Sequence, residues 1–446
     1  MKKSSVMHRS MLAHYPQAVS GEGVYVYDSE GKTYLDACGG AAVCCLGYNN
    51  ARIRAALTEQ ITKLSYIHSG FFSTEPMEQL AADLIQYAPG SNHFKNIYFV
   101  SGGSEAVESA LKIARQYYLE IGQEKRHLII SRRQSYHGNT LGALAVGGNM
   151  WRREPFAPLL KEAHHISPCF AYREKGFNES VEVYGLRVAN ELETKIQELG
   201  EDNVMAFIAE TVVGATAGAV PAVPGYFKRV REICDTHGVL LILDEIMCGI
   251  GRTGTLHACE QEGIVADLQT VAKGLAAGYQ PLGAVFISDK IASAIESGRG
   301  YFQHGHTYNG HVLACVAGLA TQQEIREKHL LANVKKQGHA LQAMLHEAFN
   351  NHPFVGDIRG RGLFVAIELV ADKETKEPFD PKLVLHQKIK AAAMHKGLMC
   401  YPMGGTVDGK KGDHILLAPS FIIESSHIEQ IVDTLSSVIT VETANR

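Results

Sequence analysis

The feature that most constrains this chain is a series of short, almost uninterrupted apolar runs, each followed by a polar turn. Asn96–Val100 (NIYFV), His127–Ser131 (HLIIS), Met205–Glu210 (MAFIAE), Val239–Leu243 (VLLIL), Leu268–Val271 and Gly283–Ser288 (GAVFIS) share that form. Runs this short and apolar throughout are strands covered on both faces, which points to a mostly parallel sheet flanked by helices. After the first run, Val107, Leu111, Ala114, Tyr118 and Ile121 recur at helical spacing, and Gly122 supplies a stop. Pro224–His237 reads as a further helix, ended by Gly238. The stretch 72–320 is therefore expected to be one large α/β unit.

The two ends differ from the middle. Residues 21–38 alternate around the turn Asp28-Ser29-Glu30-Gly31, a hairpin pattern. A long helical stretch runs from Cys315 to His352, and Val355–Val370 reads as strands. A polar insert at 372–380 precedes another helix, 404–412 is a turn-rich loop, and Ile415–Ile423 reads as a further strand. Each end is too small to bury a core alone. Segments 1–71 and 321–446 are thus expected to pack together as a smaller domain.

Composition removes several function classes. With 43 basic and 47 acidic residues the net charge is −4, which offers no footprint for nucleic acid or an anionic membrane. No run of about 18 apolar residues exists to span a bilayer. Nine cysteines, with Cys44 and Cys45 adjacent, fit no disulfide framework and suggest a reducing, cytoplasmic setting. The start, Met1–Pro16, carries Lys2, Lys3 and Arg9 without the apolar segment of a secretory signal. The 43 glycines are more than usual and imply close approaches of the backbone.

Four features sit at strand ends, where open α/β sheets bind ligands. Ser101-Gly102-Gly103-Ser104-Glu105 joins a strand to a helix; free amides and a serine hydroxyl there make either a phosphate cradle or an ordinary capped helix. Asp244 directly follows VLLIL; it either caps a turn or pairs with a cationic group such as a protonated ring nitrogen. Lys273 stands between the small residues Ala272 and Gly274, which leave room for a bulky group, and a desolvated lysine can form a Schiff base. Tyr136-His137-Gly138 places an aromatic ring where it could stack on a planar ligand or join the core. The pair His304/His306, with His311 nearby, has no cysteine or carboxylate at ligand spacing, and no metal is expected. His164-His165 reads as part of a polar loop.

Together these parts are what is needed to hold pyridoxal 5′-phosphate. The segments LDEIMCGIGRTG and LQTVAKGLAAGY, with GEGVYVYDSEGKTYLD and LLAPSFII near the two ends, resemble the class III (ω-amino-acid) aminotransferases of the fold type I group. Gln269 is a mild departure, where a small or aliphatic residue is usual. The resemblance implies a large, mostly parallel seven-stranded sheet domain and a smaller α+β domain built from both chain ends. It implies that Lys273 carries the cofactor and Asp244 pairs with its ring nitrogen. Gly103 and Ser104 would hold the phosphate, Tyr136 and Ile246 would flank the ring, and His137 and Glu210 belong to the same set. Thr307, in Gly305-His306-Thr307-Tyr308-Asn309-Gly310, matches the family's phosphate-binding threonine supplied by a neighbouring subunit, so a homodimer or a dimer of dimers is implied.

The substrate side departs from the pattern. Many relatives grip a substrate carboxylate with an arginine just before the Ala-Pro of the last strand, and Leu416 stands there in this chain. An apolar wall suits an amine or ω-amino-acid donor with pyruvate or another 2-oxo acid as acceptor. Other basic groups are Lys410 and Lys411, which read as a solvated loop tip, and Arg252, Arg359 and Arg361, which read as structural. Cys44, Cys45, Leu46, Phe71, Phe72 and Leu416 match segments that line the substrate pocket in relatives, or pack in the core. Two other readings fit the same residues: an aminomutase or phospho-lyase of the same fold, and a non-catalytic protein that binds a phosphorylated metabolite.

Overall fold

Seven strands form the central sheet: β1 (Phe94–Val100), β2 (Leu128–Arg132), β3 (His164–Ile166), β4 (Val204–Glu210), β5 (Leu240–Asp244), β6 (Leu268–Val271) and β7 (Gly283–Ser288). The computed structural model describes residues 5–444; Lys2, Lys3 and Arg446 lie outside the described residues. The spatial order is β1-β7-β6-β5-β4-β2-β3. β7 runs antiparallel to both of its neighbours, and the other pairs are parallel.

Every residue of β4, β5, β6 and β7 is buried, as the unbroken apolar runs require. Helix Gly103–Glu120 covers one face through Val107, Ala110, Leu111, Ala114 and Tyr118, and turns off before Gly122, whose φ is +73°. Helices Val181–Leu199 and Tyr226–His237 cover the other, setting Tyr184, Val188, Leu192 and Ile196 against Phe227 and Val230. The second of these stops at left-handed Gly238, the residue expected to end it.

β3 corrects the reading of His164-His165 as loop. His164 pairs with Ile130 on the edge of the sheet, where a strand needs only one neighbour and tolerates polar residues. Burial pushes the His165 imidazole down to about 4, so it is neutral and meets the carbonyls of Val146 and Gly147 at 3.3 and 3.1 Å.

Both ends of the chain build sheets outside the central one. Strands Ala18–Glu22, Tyr25–Asp28 and Thr33–Asp36 form a meander, and Leu398–Met399 joins its edge in parallel with Leu35 and Asp36. Strands Val355–Arg361, Phe364–Leu369, Tyr401–Gly404 and Asp413–Leu417 form an antiparallel sheet. Val24, Leu35 and Cys45 share a single apolar core with Leu398, Ile415, Leu417 and Ile431. Two expectations change here. The last strand ends at Leu417 rather than Ile423, two residues before Pro419, which lacks an N–H. The stretch from Cys315 is two helices, Val312–Glu327 and Leu330–Phe349, because His329 takes the left-handed conformation with φ +51°.

The arginines expected to be structural are held by the scaffold. Arg359 pairs with Glu368 at 2.5 Å and Asp357 at 2.9 Å, and Arg361 with Glu262 at 2.6 Å. Arg252 is buried, donating to the carbonyls of Leu363 and Pro419 with its guanidinium 4.6 Å from the Phe421 ring centroid. No helix among the described residues is long and apolar enough to cross a membrane.

Candidate active site

Strand register assembles the site. Parallel pairing sets Asp244 opposite Glu210 on one side and Thr270 on the other, so two carboxylates and the turn that begins at Lys273 share the carboxyl end of the sheet. The loop after β1 and the loop after β2 bring Ser101–Ser104 and Tyr136–Gly138 to the same end. These segments enclose a cavity of about 410 Å³ whose walls include Gly103, Ser104, Tyr136, His137, Glu210, Asp244, Ile246 and Lys273. Residues from the ends of five strands therefore converge, and every one of them was singled out in the sequence except the further wall residues Val43, Met247, Gly278 and Gln280–Leu282.

Asp244 is buried and held at both oxygens. The His137 Nδ1 lies 2.8 Å from its Oδ2, and the Ile246 N–H donates to its Oδ1 at 3.0 Å. His137, also buried, has no hydrogen-bond partner for Nε2 among the described residues. Glu210 accepts from the N–H of Tyr136 at 3.0 Å and of Gly214 at 2.7 Å. Burial raises the Glu210 pKa above the usual carboxylate range, with the charge of His137 opposing it.

Lys273 starts a single turn of 3-10 helix, Lys273–Ala276, with φ +48°. A non-glycine residue held there costs on the order of 1–3 kcal/mol, and such strain recurs where a side chain must be aimed. Its ammonium has no hydrogen-bond partner among the described residues. Desolvation lowers its pKa from the ordinary 10.5, against the opposing pull of Asp244 and Glu210. A larger share of uncharged amine follows, as a nucleophile or base requires. Of its neighbours, Ala272 lines the cavity, but Gly274 packs into the interior beside Cys45 and Ile250 and makes no room on the cavity side.

The loop after β1 has the shape of an anion cradle. Helix Gly103–Glu120 points its N-terminus into the cavity, and Gly102 leaves open space where a Cβ would stand. Gly103 lies against Ile246, which a Cβ would reach at 2.9 Å. The Asn139 N–H donates to the Ser104 Oγ at 3.0 Å, which leaves the serine proton free to donate to a ligand.

The remaining candidates fall outside this cavity. Cys45 and Leu46 are buried, with the Cys45 thiol 3.4 Å from the Gly274 carbonyl. Phe71 and Phe72 are 81% and 62% exposed, and Thr307 is exposed on a loop whose carbonyl accepts from the Tyr66 hydroxyl at 3.0 Å. Leu416 is buried with Ala42, Phe364 and Ala366. The sequence reading missed Arg152. It lies on the short helix Met150–Arg153 with its guanidinium 4.7 Å from the Tyr136 ring centroid. The Trp-Arg-Arg triplet at 151–153 was the available signal.

Comparison with known proteins agrees with this geometry. The family described as Aminotransferase class-III matches residues 6–439. An aminotransferase of Gibberella zeae is 46% identical over 94% of this chain and 83% of its own length. The putrescine–pyruvate aminotransferase of Pseudomonas aeruginosa is 34% identical over 92% of this chain and 87% of its own. Among solved structures, an omega transaminase from Pseudomonas jessenii in complex with PMP superposes with a TM-score of 0.90 at 30% identity, covering 96% of this chain and 93% of that one. With a family match across nearly its whole length and the α/β fold of transaminase structures, this chain belongs to the class III aminotransferases.

Proposed function

We propose that the chain is an ω-aminotransferase that uses pyridoxal 5′-phosphate to move an amino group from an amine or ω-amino acid to a 2-oxo acid such as pyruvate. The observation that carries this reading is the meeting, in one cavity, of a desolvated lysine, a buried and braced aspartate and an anion cradle. The donor set suits the cofactor at each end: Gly103 and Ser104 for the phosphate, Asp244 for a protonated ring nitrogen, Lys273 for the aldehyde carbon. Tyr136 and Ile246, both half-buried on the walls, suit the two ring faces.

Bound there, the cofactor supplies an electron sink that lets a carbon bearing nitrogen give up a proton. The protein's share of the work lies in four groups. Asp244 keeps a proton on the ring nitrogen, and His137 holds Asp244 in register for it. Lys273, as the free amine, would take the proton from the carbon that bears the substrate nitrogen and deliver it to the carbon on the other side of that nitrogen. Glu210, fixed by two backbone N–H groups, keeps the loop of Tyr136 closed over the site. Because one cavity serves donor and acceptor, the two bind in turn, and ping-pong initial rates are expected.

A homodimer completes the reading, with Thr307 serving the neighbouring site. Its support is exposure: Thr307 and the adjacent Tyr308 are exposed, with the Tyr308 ring 5.7 Å from that of Tyr66, and Phe71 and Phe72 are exposed apolar rings that a second copy would cover. Both chain ends are read as one small domain over the sheet, on the strength of the pairing of Leu398 with Leu35.

Borohydride reduction followed by peptide mass spectrometry tests the central assignment. The expected adduct is on the peptide of Lys273 and disappears in Lys273→Ala; an adduct on another lysine, or none, would contradict it. Amine consumption in stoichiometric amounts without any carbonyl acceptor would identify a lyase instead.

A further inference from the structure

We infer that Arg152 receives the substrate's remote carboxylate at the mouth of the cavity, which makes an ω-amino acid the preferred donor. The inference rests on the aminotransferase reading above and deepens it. Its starting point is a cation left over. The guanidiniums of Arg252, Arg359 and Arg361 are taken up by carbonyls or carboxylates of the scaffold, and Lys410 has Glu154 at 3.6 Å. Among the described residues, no carboxylate pairs with Arg152. Its guanidinium instead lies over the ring of Tyr136, a wall of the cavity, with the Trp151 ring 5.7 Å away.

The base under Arg152 is built rather than loose. Asn149 caps its helix by accepting from the Arg152 N–H at 3.3 Å, and donates to Gln134 at 3.1 Å. Gln134 donates in turn to the carbonyls of Gly405 and Thr406 at 2.7 and 2.9 Å. The backbone of Arg152 is thus fixed by a chain of hydrogen bonds that ties the loop after β2 to the loop that follows strand Tyr401–Gly404. An aromatic platform and fixed backbone leave the guanidinium edge free for the bidentate pair that a carboxylate offers.

The electrostatic setting agrees. Burial raises the Tyr136 hydroxyl pKa, and the charges of Arg152 and then Arg9 pull it back, so two cations bear on this wall. The charge of the adjacent Arg153 bears on a different group, His165 of the edge strand β3 next to β2. Leu416 stays buried and takes no part, so the carboxylate site has moved from the last strand to the helix after β2.

The test compares 4-aminobutanoate with butylamine as donors for the holoenzyme, and adds butanoate as an inhibitor that binds without reacting. For Arg152→Gln, the ratio of kcat/KM for 4-aminobutanoate over butylamine is expected to fall roughly 10- to 100-fold, the value of a charge-assisted pair. Inhibition by butanoate should weaken by a similar factor, and Arg152→Lys should recover part of both. Equal losses for the two donors, or an unchanged ratio with butanoate still inhibiting, would overturn the inference while leaving the aminotransferase reading intact. Failure of the wild-type protein to transaminate either donor would overturn that reading, and the inference with it.

Discussion

Gly138→Ala tests how the anion cradle is made. Gly138 has φ +137°, a region that side chains rarely enter, and holding alanine there costs about 1–3 kcal/mol. The new Cβ would also stand 2.6 Å from the Ser104 Oγ and 2.9 Å from both the Ser104 Cα and the Ala143 Cβ. Backbone and a packed methyl cannot yield as a long side chain can, so Ser104 must shift and its hydroxyl leaves the position from which it meets a phosphate. Losing one hydrogen bond to a charged group is worth about 1.5–3 kcal/mol, roughly 10- to 150-fold in affinity. The assay is titration of apoprotein with pyridoxal 5′-phosphate, followed by absorbance, alongside thermal melts. Gly122→Ala is the control: its φ is +73° and nothing lies within 4 Å of its Cβ, so it should lose about 1–2 kcal/mol of stability and keep its cofactor affinity. If Gly138→Ala binds the cofactor as tightly as wild type, Ser104 is not part of the cradle.

Lys273→Ala removes the proton carrier and should cost about 10²- to 10⁴-fold in turnover, measured in single-turnover mixing with an amine donor. Because desolvation lowers Lys273 from the ordinary 10.5, capture of cofactor by apoprotein should speed up with pH and level off below that value; a rise that continues past it would contradict the assignment. Asp244→Asn should slow the reaction more than His137→Phe, since the histidine acts through the aspartate it braces at 2.8 Å; steady-state kcat values for the two variants decide the order. Burial pushes the Glu245 carboxyl from 4.5 up to about 7, although the Ala258 and Cys259 N–H groups each donate to it at 2.7 Å. Between those values the folded state keeps a proton that the unfolded state has released. Stability is therefore fullest below about 4.5 and falls as pH rises to about 7, by about 3 kcal/mol for this group. Glu245→Gln should flatten that slope in denaturant melts taken across the range.

The central sheet was legible because its strands are buried on both faces, which forces unbroken apolar runs such as Leu240–Leu243. β3 was not, because an edge strand can carry His164 and His165 with one face half open. The break at His329 leaves no mark in composition, since helix-forming residues stand on both sides of it. Asp244, Lys273 and the serine-glycine loop announced themselves as polar residues at the ends of apolar runs. What they share in space is set by register: Asp244 against Glu210 is a statement about two strands 34 residues apart, as is the buried hydrogen bond from Thr211 to Glu245. Arg152 is silent in the sequence because its meaning lies in having no carboxylate partner among the described residues, and pairing is a property of the fold.

The measurement closest to the central claim is the half-reaction spectrum of the purified protein. The account predicts a yellow protein that loses its colour when 4-aminobutanoate is added without acceptor and regains it when pyruvate follows, one equivalent of each per site. A colourless protein, or a colour that neither an amine nor a 2-oxo acid changes, would contradict it.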